Sequence, residues 1–470
     1  MPGCVSLSRR LCPLHLASVV ALLVTVAAMP AAAQAVVPRP LGSGLAVNQP
    51  PVDGTVSSAP ENPTGQISLR DALALALRQS PELASFAWEI RARESAALQA
   101  GRPPNPRLDI LSEDFGAGRV PGENRDQPVQ PQATLQLSQL IELGGKRIAR
   151  QRLAERDRDL AEWDFETARV QVLTAVSATF TDVLAAQETV ALSDQTMRLV
   201  TQVQENVAAR VAAGVVSPIE ETRANVALAA VRTEAARARR MLDASRARLA
   251  LSWGGAVALF TSVVGDLKAV PAPLPDTSVL AAMLAQNPEL ARWAAELSQR
   301  EAALALARSQ RVIDVAVSAG YRRYTTVDSN AFVVGASIPL PLFNRNQGGI
   351  EEARLRLAKT HEQRRAAEMR VAAQLAEAYA ALATAHDEIT ILRTAVLPGA
   401  QQAFDAVTEG YRLGRFGFLD VLDAQRTLIG AGSQYLRALS DYYKSVANVE
   451  RLIGAPLPVG TSLPPIGAKE

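Results

Sequence analysis

The chain has 470 residues, 48% of them apolar but only 4% aromatic, and its 49 basic and 47 acidic residues leave a net charge of +2. Charges of both signs are interspersed, so neither a basic nucleic-acid surface nor an acidic tail is present. Alanine supplies much of the apolar share, and small side chains favour long, closely packed helices over a bulky globular core.

The N-terminus reads as an export signal over residues 1–35. Arg9 and Arg10 precede an apolar run at 14–28, and small residues at 31–35 offer a cleavage site. That run is shorter than the roughly 20 residues a membrane helix needs. Both cysteines, Cys4 and Cys12, lie inside the signal. The mature chain is therefore expected to hold no disulfide, no thiolate metal site and no cysteine-linked lipid anchor. Residues 36–66 are rich in Pro, Gly, Ser and Val and read as an extended lead-in. Beyond the signal no apolar run reaches 18 residues, so any membrane crossing would have to use β-strands.

The rest is written twice, as repeats at 67–266 and 277–456 joined by a linker at 267–276 and followed by a tail at 457–470. Ser80-Pro81-Glu82-Leu83-Ala84 recurs as Asn287-Pro288-Glu289-Leu290-Ala291, the segment 211–220 resembles 411–420, and Trp253-Gly254 aligns with Ile453-Gly454. The first half carries extra residues, which fit an enlarged polar loop at 118–132.

Each half predicts a helix, a strand pair, a very long helix, a sharp turn and a returning helix. In the first strand pair Ala133, Leu135 and Leu137 alternate with Thr134, Gln136 and Ser138, and a less regular partner lies near 108–115. In the second, alternation runs over 313–322 and 332–340. These runs approach the length at which a tilted strand crosses a bilayer. A helix free of proline is predicted over 146–211, with its counterpart from about 349 to 413 bent at Pro398. The returning helices are predicted over 219–253 and 419–453. Helices this long suggest coiled-coil packing. Four strands cannot close a barrel, which needs at least eight, and an open edge is not tolerated in lipid. Three chains would supply 12.

With its motifs at 80–83, 104–106, 141–147, 337–348 and 411–425, the chain resembles the TolC family of outer membrane efflux proteins from about Ser68 to Pro456. Residues 141–147 and 337–348 are most similar to the CzcC-like, heavy-metal branch. The resemblance implies a mainly α fold with a small β part: a long α-helical barrel in the periplasm and a transmembrane β-barrel in the outer membrane of a Gram-negative bacterium. It further implies a homotrimer in outer-membrane lipid, docked through a periplasmic adaptor to an inner-membrane RND transporter, passively exporting heavy-metal cations. Neither a cofactor nor catalysis is implied. His361 and His386 stand alone, so no metal site is expected, and no nucleophile–base pair or phosphate loop points to an enzyme. A type I protein-secretion channel or a drug-efflux channel is the alternative of similar build. A soluble periplasmic coiled coil is the alternative of another class.

The second turn holds the candidate gate. Asp420 and Asp423 share a helical face, and the resemblance implies an acidic constriction ring that favours cations there. Acids in a first helical turn also offset the backbone dipole, which accounts for their presence without a pore. Tyr411 matches a tyrosine of the family's closure network. Phe416 stands where a better-known gate has an arginine, which leaves Arg412 and Arg415 as the nearest basic residues. Gly214, Ser217, Gly414 and Gly417, at the two turns, are the expected docking tips for the adaptor. Gly144 and Gly145 are expected to turn the chain between strand and long helix.

Overall fold

The computed structural model describes residues 62–114, 131–269, 273–325 and 328–457. The expected signal, most of the lead-in and of the enlarged loop, and the tail beyond Leu457 lie outside the described residues. In chain order the first half runs β1 (Gly65–Ser68), α1 (Leu69–Gln79), α2 (Pro81–Ala100), β2 (Arg107–Glu113), β3 (Gln132–Ile141), α3 (Lys146–Ala212), α4 (Pro218–Leu251) and β4 (Phe260–Val264). The second runs α5 (Thr277–Met283), a short 3-10 turn, α6 (Pro288–Ser309), β5 (Val315–Tyr324), β6 (Ser329–Ser337), α7 (Gln347–Ile391), α8 (Leu397–Arg412) and α9 (Phe418–Ile453).

The repeated Ser80-Pro81 and Asn287-Pro288 motifs are helix starts. Pro81 and Pro288 open α2 and α6, where the missing N–H costs nothing. Asn287 caps α6 by accepting from Leu290 N–H at 3.1 Å, and its buried amide donates to Leu452 O at 2.7 Å. The last helix of the second half is thereby tied to that half's helix start. In the first half Gly254 sits against Pro81 in the matching place.

The 67 residues of α3 make a single helix of about 100 Å. Its second-half counterpart is interrupted, and the break is not a simple proline kink. A π-helical turn spans Leu392–Val396 directly ahead of Pro398. Leu397 N–H reaches back to Leu392 O in this widened turn, which accommodates a proline ring that a regular α-turn would push against the preceding carbonyl.

The main core lies around the middle of α3. Val176 and Phe180 pack there with Leu73 of α1, Leu249 and Trp253 at the end of α4, and Leu439 and Tyr442 of α9. A small parallel sheet, not expected from the sequence, closes this region. β1 pairs with β4, so the last residues of the extended lead-in, Gly65 and Gln66, open a paired strand. Gln187 of α3 fastens β4 by accepting from Val263 N–H at 2.8 Å and donating to Val263 O at 3.0 Å.

The four remaining strands form one antiparallel sheet in the order β2-β3-β5-β6, with β2 and β6 at its edges. Its register sorts the side chains. Ile110, Leu135, Tyr321 and Phe332 fall in one row, and Leu108, Leu137, Ala319 and Val334 in the next. On the opposite face Asp109, Gln136 and Gly320 align, as do Thr134 and Arg322, whose Nε donates to Thr134 Oγ1 at 3.0 Å. The apolar face is the more exposed one: Phe332 is 88% and Val334 84% accessible, whereas Thr134 is 3%. A water-soluble half-buried sheet has the reverse arrangement.

Between sheet and helices lies a charged junction. Gly144 has φ +70°, and Val312 stands 2.6 Å from where a Cβ would be. Leu143 N–H donates to Asp314 at 3.0 Å, and Lys146 pairs with the same carboxylate at 2.7 Å. Arg150 grips Glu142 at 2.7 and 3.0 Å and donates to Ala100 O at 3.0 Å, which joins α2, β3 and α3. The hydrogen bond from Arg150 holds Glu142 below the usual carboxylate range. Burial pushes Asp314 up, but Lys146 and the Leu143 N–H together outweigh it and leave it lowered.

Candidate functional site: the twin helical tips

Each long helix reverses through the same local geometry. Gly214 (φ +69°) and Gly414 (φ +75°) take left-handed angles that other residues adopt only at a cost. Val215 N–H then closes back on Arg210 O at 2.9 Å, and Arg415 N–H on Gly410 O at 2.8 Å. Ser217 is the N-cap of α4, its hydroxyl accepting from Ile219 N–H at 3.5 Å. Gly417 is the N-cap of α9, and its N–H donates to the Asp420 carboxylate at 2.8 Å.

Asp420 is therefore engaged in starting α9. Asp423, one turn further, helps line a concavity of about 320 Å³ with Asp420, Phe416, Ala403 and Thr427. Arg412 pairs with the exposed Glu409 of its own helix at 3.2 Å. Arg415 is fixed there through its backbone.

Tyr411 does join the two halves, and the basic residue beside it comes from the other one. Arg210, in the last turn of α3, donates to Tyr411 O at 2.8 Å, and its guanidinium lies 4.4 Å from the centre of the tyrosine ring. The Tyr411 hydroxyl donates to Glu220 of α4 at 3.2 Å. Burial, followed by the charge of Glu220, raises the Tyr411 pKa, so the phenol stays a donor at neutral pH. Tyr411 also packs with Phe418, Val421 and Val207 in a small core separate from the main one. Arg210 is not among the residues that the sequence motifs single out. The only local signal is a basic residue in a last helical turn, which has an ordinary dipole explanation.

The ends of both tips are apolar and exposed: Val215, Ile219, Leu413, Phe416 and Leu419 are each 48% accessible or more. Among the described residues no group of three His, Cys, Asp or Glu side chains is placed to hold a metal ion, and no helix is long and apolar enough to cross a membrane.

The profile of the family described as outer membrane efflux protein matches residues 72–255 and 279–455. The cobalt-zinc-cadmium resistance protein CzcC of Cupriavidus metallidurans is 36% identical over 396 residues, covering 84% of this chain and 92% of that protein. The nickel and cobalt resistance protein CnrC of the same organism is 30% identical over 320 residues, covering 68% and 73%. Among solved structures, CusC superposes with a TM-score of 0.71 at 16% identity, covering 87% of this chain and 97% of that one. VceC of Vibrio cholerae does so with a TM-score of 0.66 at 18% identity, covering 83% and 96%.

Proposed function

The chain belongs to the outer membrane efflux protein family, and from that premise we propose that three copies form the outer-membrane duct of a tripartite pump that exports heavy-metal cations. The observation that carries the reading is the four-stranded sheet. Among the described residues it exposes its apolar face more than its polar one and leaves the outer edges of β2 and β6 open. Lipid accounts for the first feature and shared strands for the second. With β2 and β3 antiparallel, and likewise β5 and β6, each β6 meets the β2 of the next copy antiparallel, and three copies give a closed barrel of twelve strands.

The duct is passive. The hairpin tips face an adaptor through Val215, Ile219, Leu413, Phe416 and Leu419, which flank Gly214, Ser217, Gly414 and Gly417. An RND transporter in the inner membrane supplies the driving force. The Arg210–Tyr411–Glu220 contact holds the second tip against the first, and Asp423 is the free acid of the constriction. Heavy-metal cargo rests on the similarity to CzcC and CnrC, proteins of cobalt, zinc, cadmium and nickel resistance.

Deleting the gene and profiling growth tests the reading. Hypersensitivity to cobalt, zinc, cadmium or nickel, restored by the intact chain, is expected. Unchanged metal tolerance with hypersensitivity to drugs, or with loss of a secreted protein, would replace heavy metal as the cargo.

A further inference from the structure

Within one chain, the seam between β3 and β5 shows how a strand leaving the sheet is secured. The connection that follows β3 lies on the segment that leads into β5: Leu143 donates to Asp314, Lys146 pairs with Asp314, and Gly144 packs on Val312. The repeat makes β6 the counterpart of β3 and β2 the counterpart of β5. The connection following β6 therefore has a counterpart surface in the segment leading into β2, but in one chain those two edges lie on opposite sides of the sheet.

Both orphaned pieces are conspicuous. After β6 the chain forms an apolar arm at 338–343, in which Leu340 is 75%, Leu342 66% and Phe343 89% accessible. The arm's backbone is held in place even though its side chains are bare. Leu342 N–H bonds Leu340 O at 2.9 Å, and Arg345 Nε donates to Pro341 O at 3.1 Å. Its root is pinned where Asn346 donates to Ala307 O at 2.8 Å. Ahead of β2 lies a groove of about 830 Å³ lined by Gln99, Arg102, Pro103, Pro104, Asn105 and Arg150. Arg150 is already committed to Glu142 and Ala100, so beside the polar Gln99 and Asn105 the proline rings and the Arg102 stem are the surfaces that receive apolar groups. Arg102 can also place its guanidinium on an aromatic face.

We propose that the arm at 338–343 of each copy seats in the groove ahead of β2 of the next, so that the seam between copies is locked below the shared strands. Head-to-tail closure brings the base of β6 beside the base of β2, so arm and groove meet without either element moving. The inference rests on the shared-barrel reading and adds a lock that the strands alone do not provide.

Cysteine pairs test it, because the only natural cysteines are Cys4 and Cys12. Leu342→Cys would be combined in turn with Pro103→Cys, Asn105→Cys and Pro106→Cys, and outer membranes oxidised. A covalent ladder ending at the trimer is expected from at least one pair and from none of the single variants. A parallel scan of pairs joining β6 to β2 separates the two claims. Cross-links between the strands without any from the arm would overturn the lock and leave the trimer standing. A monomer that forms neither would overturn both. Phe343→Trp supplies an independent readout: fluorescence shielded from brominated phospholipid is expected, and strong quenching would place the arm in the bilayer and overturn the proposal.

Discussion

Tyr411 is the residue on which the two halves of the tip converge, and its partners define what each substitution should do. Arg210→Ala removes a charge-assisted hydrogen bond and a cation over the ring, together on the order of 1–3 kcal/mol of tip closure. Single-channel recordings in a planar bilayer should show a higher basal conductance; currents equal to the parent's would detach Arg210 from gating. Asp420 and Asp423 should separate. Asp420→Asn weakens the cap of α9 by roughly 1 kcal/mol and should lower thermal stability, whereas Asp423→Asn should reduce cation over anion preference in reversal-potential measurements. Equal selectivity in Asp423→Asn and the parent would remove the constriction role. Glu450 titrates in an unusual range: burial pushes it up to about 7 from an ordinary value near 4.5, while its Oε1 accepts from Leu457 N–H at 3.0 Å. The folded form thus binds the proton more tightly than the unfolded one, and stability falls as pH rises from about 4.5 through 7. Glu450→Gln should gain on the order of 1–3 kcal/mol at pH 8 and almost nothing at pH 4, read from unfolding curves at both. At this scale the motif at 411–425 singles out Tyr411 and the acids as candidates, and the structure places Tyr411 at the contact between the two halves. Arg210 stayed hidden because its partner lies 201 positions away, and nothing local distinguishes it from a dipole-compensating arginine.

The elements were legible where their period was strong. The alternation of Leu135 and Leu137 with Thr134, Gln136 and Ser138 marked β3, and the proline-free stretch marked α3. β1 and β4 escaped because strands of four and five residues are too short to show a period, and each is held by a distant partner. At Pro398 the sequence announced a break but not its form, since a π-turn depends on how the neighbouring helices pack. Strand register, invisible in the sequence, carries the clearest consequence. Val334→Arg sets a charge on the apolar face and should cost about 2–4 kcal/mol near the bilayer centre. Gln136→Arg, on the polar face, should be nearly neutral. Urea unfolding of the two variants in lipid vesicles checks this, and equal losses would mean that the apolar face does not meet lipid. Acid should spare the junction beneath the sheet longer than most carboxylate contacts. Glu142 and Asp314 are held below their usual values, so their contribution is present above about pH 4 and is lost only as pH falls through those lowered values.

At the scale of the whole molecule, one chain leaves its own construction unfinished. Among the described residues two sheet edges lack partners, an apolar face is exposed, an arm and a groove lie on opposite sides of the sheet, and the helical tips end in bare leucine, valine, isoleucine and phenylalanine side chains. On the reading proposed above, rotation about a common axis resolves the edges, the arm and the groove together, and three copies with four strands each make a barrel of twelve. Native mass spectrometry of the protein released from outer membranes in mild detergent measures that number directly. A single species of three chains that persists until it is heated is expected; a monomer or a dimer as the stable, membrane-inserted species would contradict the shared barrel.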